Sequence, residues 1–240
     1  MWTKICGITR TDDAIAACRS GVDALGLNFY PASKRFIHPT QAAGLLQDVR
    51  HERRVSGVNA DTMPDLVGVF VNADCEEICE IVQAVGLTAV QCHGDESADM
   101  LRTLRRQLPH VPLIRAFRLS EDRLAAIQHQ IEELISQVEL SALLLDTFVA
   151  GEFGGTGSRM SGHLVESIKS ATRVPLILAG GLTADNVAQA IDCTRPWGVD
   201  TASGVEDLPR IKNPQQMQAF VTNARSNSAA VSRLKRPGES

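Results

Sequence analysis

The sequence has no apolar run approaching the ~20 residues that span a bilayer, so no membrane-spanning helix is expected. It has no basic excess either. Its 24 Lys and Arg stand against 28 Asp and Glu, a formal charge of −4. That argues against nucleic acid as a partner, so any phosphate must be held by backbone amides and a few placed cations. The start, Met1-Trp2-Thr3-Lys4, enters a strand pattern with no signal-peptide layout, and a cytoplasmic location is expected. Paired zinc spacings are missing. Cys75 and Cys79 stand i, i+4 without a second ligand pair, so no metal is expected. The six cysteines of a cytosolic chain then read as free thiols. Gly154-Gly155-Thr156-Gly157 lacks the Gly-Lys-Ser/Thr ending of a P-loop, and Cys6-Gly7-Ile8-Thr9-Arg10 is not the dinucleotide fingerprint.

What is present is a regular alternation. Strands are predicted at Thr3–Cys6, Ala24–Phe29, Leu66–Val71, Thr88–Cys92, Pro112–Phe117, Ala142–Asp146, Pro175–Ala179 and Trp197–Thr201. Most are continuous apolar runs, the pattern of parallel strands covered on both faces. Helical periods lie between them. Leu124, Ile127, Ile131, Leu134, Ile135 and Val138 form one apolar stripe, and Ile78, Ile81, Val82 and Val85 another. Thr183 reads as the N-cap of a later helix. Hydrophobic residues at 44% supply a sizeable core, and 240 residues fit one (β/α)8 barrel of ~250. The expected domain is 1–225, with His51–Pro64 a polar loop and 226–240 a disordered tail.

In such a barrel the C-terminal strand ends and the loops after them build the active site. That selects Cys6, Asn28, Arg35, Gln91, His93, Asp146, Gly180, Gly181, Asp200, Ser203 and Gly204. A free cysteine is most often an inert core thiol. At a strand end before a glycine, Cys6 is also placed for base chemistry if a helix N-terminus or a cation such as Arg10 favours its thiolate. Asp146 closes the run Ala142-Leu143-Leu144-Leu145, either as a loop anchor or as the acid of an acid/base pair. Gly180-Gly181 and Ser203-Gly204 end the last two strands, where backbone amides reach a phosphate unobstructed by Cβ. Arg35 is either a solvated surface cation or a group that meets a carboxylate bidentately. Gln91 and His93 share a face, with Cys92 turned the other way. Gly154–Gly157 is either a lid over a ligand or a plain loop.

Several ordered segments carry a resemblance: KICGITR at 4–10, Phe29-Tyr30-Pro31 through Arg35, Val67–Asn72, Val90–Glu96, Leu145-Asp146-Thr147, Gly154–Gly157, Leu178–Leu182 and Val199–Glu206. Together they resemble the phosphoribosylanthranilate isomerase family of tryptophan biosynthesis. The resemblance implies an Amadori rearrangement of N-(5-phosphoribosyl)anthranilate. It further implies Cys6 as general base, Asp146 as general acid and Arg35 at the anthranilate carboxylate. Gln91, His93 and Asp200 would touch the substrate, and Gly180, Gly181, Ser203 and Gly204 the phosphate. No cofactor is implied, and the chain is expected to be a monomer or homodimer. Ser158–His163 departs from the family, where a Lys and a Trp are common.

Two rivals share features. The histidine-pathway isomerase runs the same rearrangement on a substrate with two phosphates, but resembles a repeated half-barrel with an aspartate on the first strand. Here the first strand ends in Cys6, and the loops at Asn72–Asp74 and Gly94–Glu96 lack a second glycine pair. A non-catalytic phosphosugar-binding barrel would have little need of both Cys6 and Asp146.

Overall fold

A computed structural model describes residues 1–55, 63–146, 157–226 and residue 234, with side chains omitted over 157–161. Eight parallel strands close on themselves in chain order: β1 Trp2–Cys6, β2 Ala24–Asn28, β3 Asp65–Phe70, β4 Ala89–Cys92, β5 Leu113–Arg118, β6 Ala142–Asp146, β7 Leu176–Ala179 and β8 Gly198–Thr201. β8 pairs back onto β1 with Lys4 opposite Asp200. The helices are α1 Thr11–Arg19, α2 Pro39–Val55, α3 Cys75–Val85, α4 Ala98–Gln107, α5 Leu124–Gln137, α6 Gly157–Ala171, α7 Val187–Thr194 and α8 Pro214–Arg225. After β8 a turn at Ser203–Val205 leads into a hairpin of β9 Glu206–Leu208 and β10 Ile211–Lys212.

The continuous apolar strands split by parity into two cores. Trp2, Ala24, Val67, Ala89, Ile114, Ala116, Ala142, Leu144, Ile177 and Ala179 fill the barrel. Their alternates, including Ile5, Leu25, Leu27, Leu66, Leu143 and Leu145, pack outward against the helices. Burying one such leucine is worth about 1.5–3 kcal/mol. The small inner side chains make room for Trp2, which is fully buried and stacked on Trp197 at 5.3 Å. Parity also puts Lys4 and Cys6 on the inner face of β1, Gln91 on that of β4, Asp146 on that of β6 and Asp200 on that of β8.

Local signals set the ends. Asp74 caps α3 by accepting from Glu77 N, and Gly86 closes it at φ 73°. Ser97 caps α4, and Asn213 with Pro214 opens α8. Other segments differ from expectation or fall partly outside the described residues. Thr183 does not cap α7. Asn186 is the N-cap, and its Oδ1 accepts from Thr183 N, so a turn intervenes before the helix. The polar stretch from His51 continues α2 through Val55, with 56–62 outside the described residues. Gly154–Thr156 also lie outside them, and Gly157 opens α6. In the segment expected to be a disordered tail, Leu234 is described, only 5% exposed and packed with the inner barrel cluster.

Candidate active site

At the C-terminal end of the barrel lies a cavity of about 250 Å³. Cys6, Asn28, Arg35, Gln91, His93, Asp146, Gly180, Gly181, Asp200, Ser203 and Gly204 all line it, so every candidate residue meets at one place. Each arrives by parity on an inner strand face or in the loop after its strand.

The thiol sits in a space that glycine creates. Gly26 is the neighbour of Cys6 on β2, and a Cβ there would stand 2.7 Å from Cys6 Sγ. Gly7, at φ +75°, would bring a Cβ within 2.3 Å of Arg35 Cδ, so the arginine stem lies directly over the strand end. Below Cys6 on the same face, Lys4 has a side chain with no exposure and an ion pair to Asp200 at 2.8 Å. Burial opposes its charge, yet Asp200 and Cys6 outweigh burial and hold the ammonium above the ordinary lysine range. Arg10 is not at the thiol. Its exposed side chain lies 3.9 Å from Asp12 and 3.8 Å from Asp13, and α1 starts only at Thr11. On the inner face of β1 the cation next to Cys6 is Lys4, a residue not among the sequence candidates. Its i, i+2 spacing from Cys6 on one strand was the signal for it.

Across the cavity His93 Nε2 is 3.9 Å from Asp146 Oδ2, and His93 Nδ1 is 2.9 Å from Gln91 Nε2. Burial lowers the His93 pKa despite the pull of Asp146, so the ring is neutral at pH 7. Gln91 thus holds the ring through Nδ1, and Nε2 is the nitrogen turned toward Asp146. Cys92 packs in the outer core, and burial drives its thiol far above the ordinary range.

The two glycine turns are shaped by close contact. Gly180 and Gly181 sit at φ 96° and 63°, and a Cβ on Gly204 would stand 1.8 Å from Leu182 O. The positive φ values favour glycine at 180 and 181, the glycine at 204 lets the second turn pack against the Leu182 backbone, and both turns line the cavity. The loops after β3 and β4 differ. There the amides of Asn72 and Gly94 donate to Glu96, and that of Asp95 donates to Asn72 Oδ1. Arg115 in turn lies 3.4 Å from Glu96. Those amides are engaged within the protein, which argues against a second anion cradle on that side.

Two more residues were not anticipated. Glu206 accepts from Arg35 Nε at 2.8 Å and from Arg35 Nη2 at 2.6 Å, and Lys212 Nζ reaches Glu206 at 2.9 Å. These contacts join positions 171 and 6 residues apart, and the longer separation is invisible to local pattern. Among the described residues no group of three His, Cys, Asp or Glu could hold a metal ion, and no helix is long and apolar enough to cross a membrane.

Against known proteins, residues 3–223 match the family described as N-(5'-phosphoribosyl)anthranilate (PRA) isomerase. A protein of that name from Myxococcus xanthus is 42% identical over 93% of this chain and 95% of its own length. One from Pseudomonas fluorescens is 40% identical over 95% of this chain and 98% of its own. The solved phosphoribosyl anthranilate isomerase of Thermotoga maritima superposes with a TM-score of 0.74 at 35% identity, covering 94% of this chain and 99% of that one. A second solved isomerase, holding reduced 1-(o-carboxyphenylamino)-1-deoxyribulose 5-phosphate, gives 0.72 at 34% identity over 94% of this chain and 99% of that one.

Proposed function

The chain belongs to the N-(5'-phosphoribosyl)anthranilate isomerase family, and from that premise we propose that it rearranges N-(5-phosphoribosyl)anthranilate with Cys6 as base and Asp146 as acid. The observation that carries this is geometric: a thiol at the end of β1 and a carboxyl at the end of β6 line one cavity with the glycine turns after β7 and β8.

The chemistry follows from where the groups stand. Protonated Asp146 gives its proton to the ribose ring oxygen, the C1–O bond breaks, and the amine lone pair forms an iminium. The iminium acidifies the proton on C2. The Cys6 thiolate removes it, and the electron pair flows through the new C1–C2 double bond to nitrogen. The enolamine then tautomerises to the ketone, so atoms and charge balance with no external oxidant or cofactor. Neutral His93, held by Gln91, stands beside the Asp146 carboxyl and touches the substrate there. The Gly180-Gly181 and Ser203-Gly204 turns hold the substrate's phosphate, and Arg35 meets its carboxylate. Asp200 acts on the substrate side of the Lys4 pair. The engaged amides at Asn72, Gly94 and Asp95 favour a substrate with one phosphate over the two-phosphate rival.

A cytoplasmic location and an assembly no larger than a homodimer complete the reading. A dimeric isomerase of Thermotoga maritima supports the upper limit, and sedimentation showing a larger assembly contradicts it. The functional test is complementation of a strain lacking the isomerase. The wild-type chain rescues growth, whereas Cys6→Ser and Asp146→Asn do not. Failure of the wild type, or rescue by the doubly substituted chain, overturns the reading.

A further inference from the structure

Arg35, the group read above as meeting the substrate's carboxylate, already lies against a carboxylate of the protein. Glu206 accepts from both its Nε and its Nη2, and the Glu206 side chain is only 4% exposed. Such a pairing alone would cancel the arginine's charge and repel an incoming anion. Lys212 changes the balance. Its side chain has no exposure, and its ammonium donates to Glu206 Oε1 at 2.9 Å, to the Cys6 carbonyl at 2.7 Å and to the Ala202 carbonyl at 2.8 Å. Two cations and one carboxylate leave the trio with a net positive charge. A guanidinium has more donors than the two that Glu206 occupies, so Arg35 can hold a second carboxylate at the same time.

We propose that Glu206 and Lys212 are positioning residues for substrate recognition. Glu206 fixes the plane of the Arg35 guanidinium, and Lys212 neutralises Glu206 so that Arg35 keeps its charge for the aryl carboxylate. The proposal rests on the reading of Arg35 as the carboxylate-binding group. It explains why a buried lysine stands in a short hairpin after the last strand. It also ties the carboxylate end of the site to the base-bearing strand and the phosphate turn, because one ammonium holds the carbonyls of Cys6 and Ala202.

The test is calorimetric binding of two probes: reduced 1-(o-carboxyphenylamino)-1-deoxyribulose 5-phosphate and its phenylamino counterpart without the carboxyl. Wild type binds the carboxylated probe more tightly. Arg35→Met abolishes that preference. Glu206→Gln lowers the preference about tenfold through loss of an oriented charged hydrogen bond, while binding of the phenylamino probe is unchanged. Adding Glu206→Gln to Arg35→Met brings no further loss. Lys212→Met, which leaves Glu206 uncompensated, weakens the carboxylated probe more than the other. If Arg35→Met keeps the preference, the reading of Arg35 itself fails. If Arg35→Met abolishes it but Glu206→Gln leaves or raises it, or Lys212→Met weakens both probes equally, the positioning proposal fails.

Discussion

At the residue scale, the site depends on what stands beside each reactive group. Lys4 shares the inner face of β1 with Cys6 and is wholly buried beside Asp200. Arg35 and Lys212 also bear electrostatically on the thiol, but both are engaged by Glu206. Replacing Lys4 by Met removes the cation that is not shared with Glu206. The expected outcome is a lower kcat together with slower alkylation of Cys6, because the cation on the same strand face as the thiol is gone. A lower kcat with Cys6 alkylation unchanged would make Lys4 a packing residue only. Gly26→Ala tests the space for the thiol, since its Cβ would press on Cys6 Sγ. A fall in kcat is expected, together with slower alkylation of Cys6, which peptide mapping reads directly.

At the scale of elements, the strands were legible because parallel strands buried on both faces are written as unbroken apolar runs. Ala142–Asp146 is matched residue for residue, and Leu176–Ala179 starts one place after its prediction. Strand-end rules also brought Cys6, Asp146 and the glycine turns to one cavity from sequence alone. The misses have separate physical causes. Asn186, rather than Thr183, stands at the N-cap position of α7 because the chain turns once more before the helix, and both residue types are common there. Glu206 and Lys212 acquire their meaning from partners on other elements, which no local period encodes. Asp74 offers a contrast, being a cap that does not line the cavity. Asp74→Ala is expected to cost about 1 kcal/mol of stability in urea unfolding, with kcat unchanged.

At the scale of the whole molecule, a closed barrel joins its two ends through β1 and β8, and the charged contacts of the hairpin that follows β8 make stability depend on pH. Burial would raise the Glu206 carboxyl, but hydrogen bonds from Arg35 and Lys212 outweigh it and hold the carboxyl below its ordinary 4.5. A depressed carboxyl stabilises the fold fully above its unfolded value and loses that contribution as pH falls through the folded one. Wild-type stability is therefore expected to drop below about pH 4.5, and Glu206→Gln to show a shallower drop over that window in thermal melts. An equal drop in both proteins would place the acid sensitivity elsewhere.

The division of labour between Cys6 and Asp146 across this barrel is the central claim. It is tested most directly by turnover of N-(5-phosphoribosyl)anthranilate by purified wild type, Cys6→Ser and Asp146→Asn. Each substitution is predicted to lower kcat by ~10²–10⁴-fold, the usual contribution of one proton-transfer group. Either variant turning over within a few-fold of wild type would contradict the account.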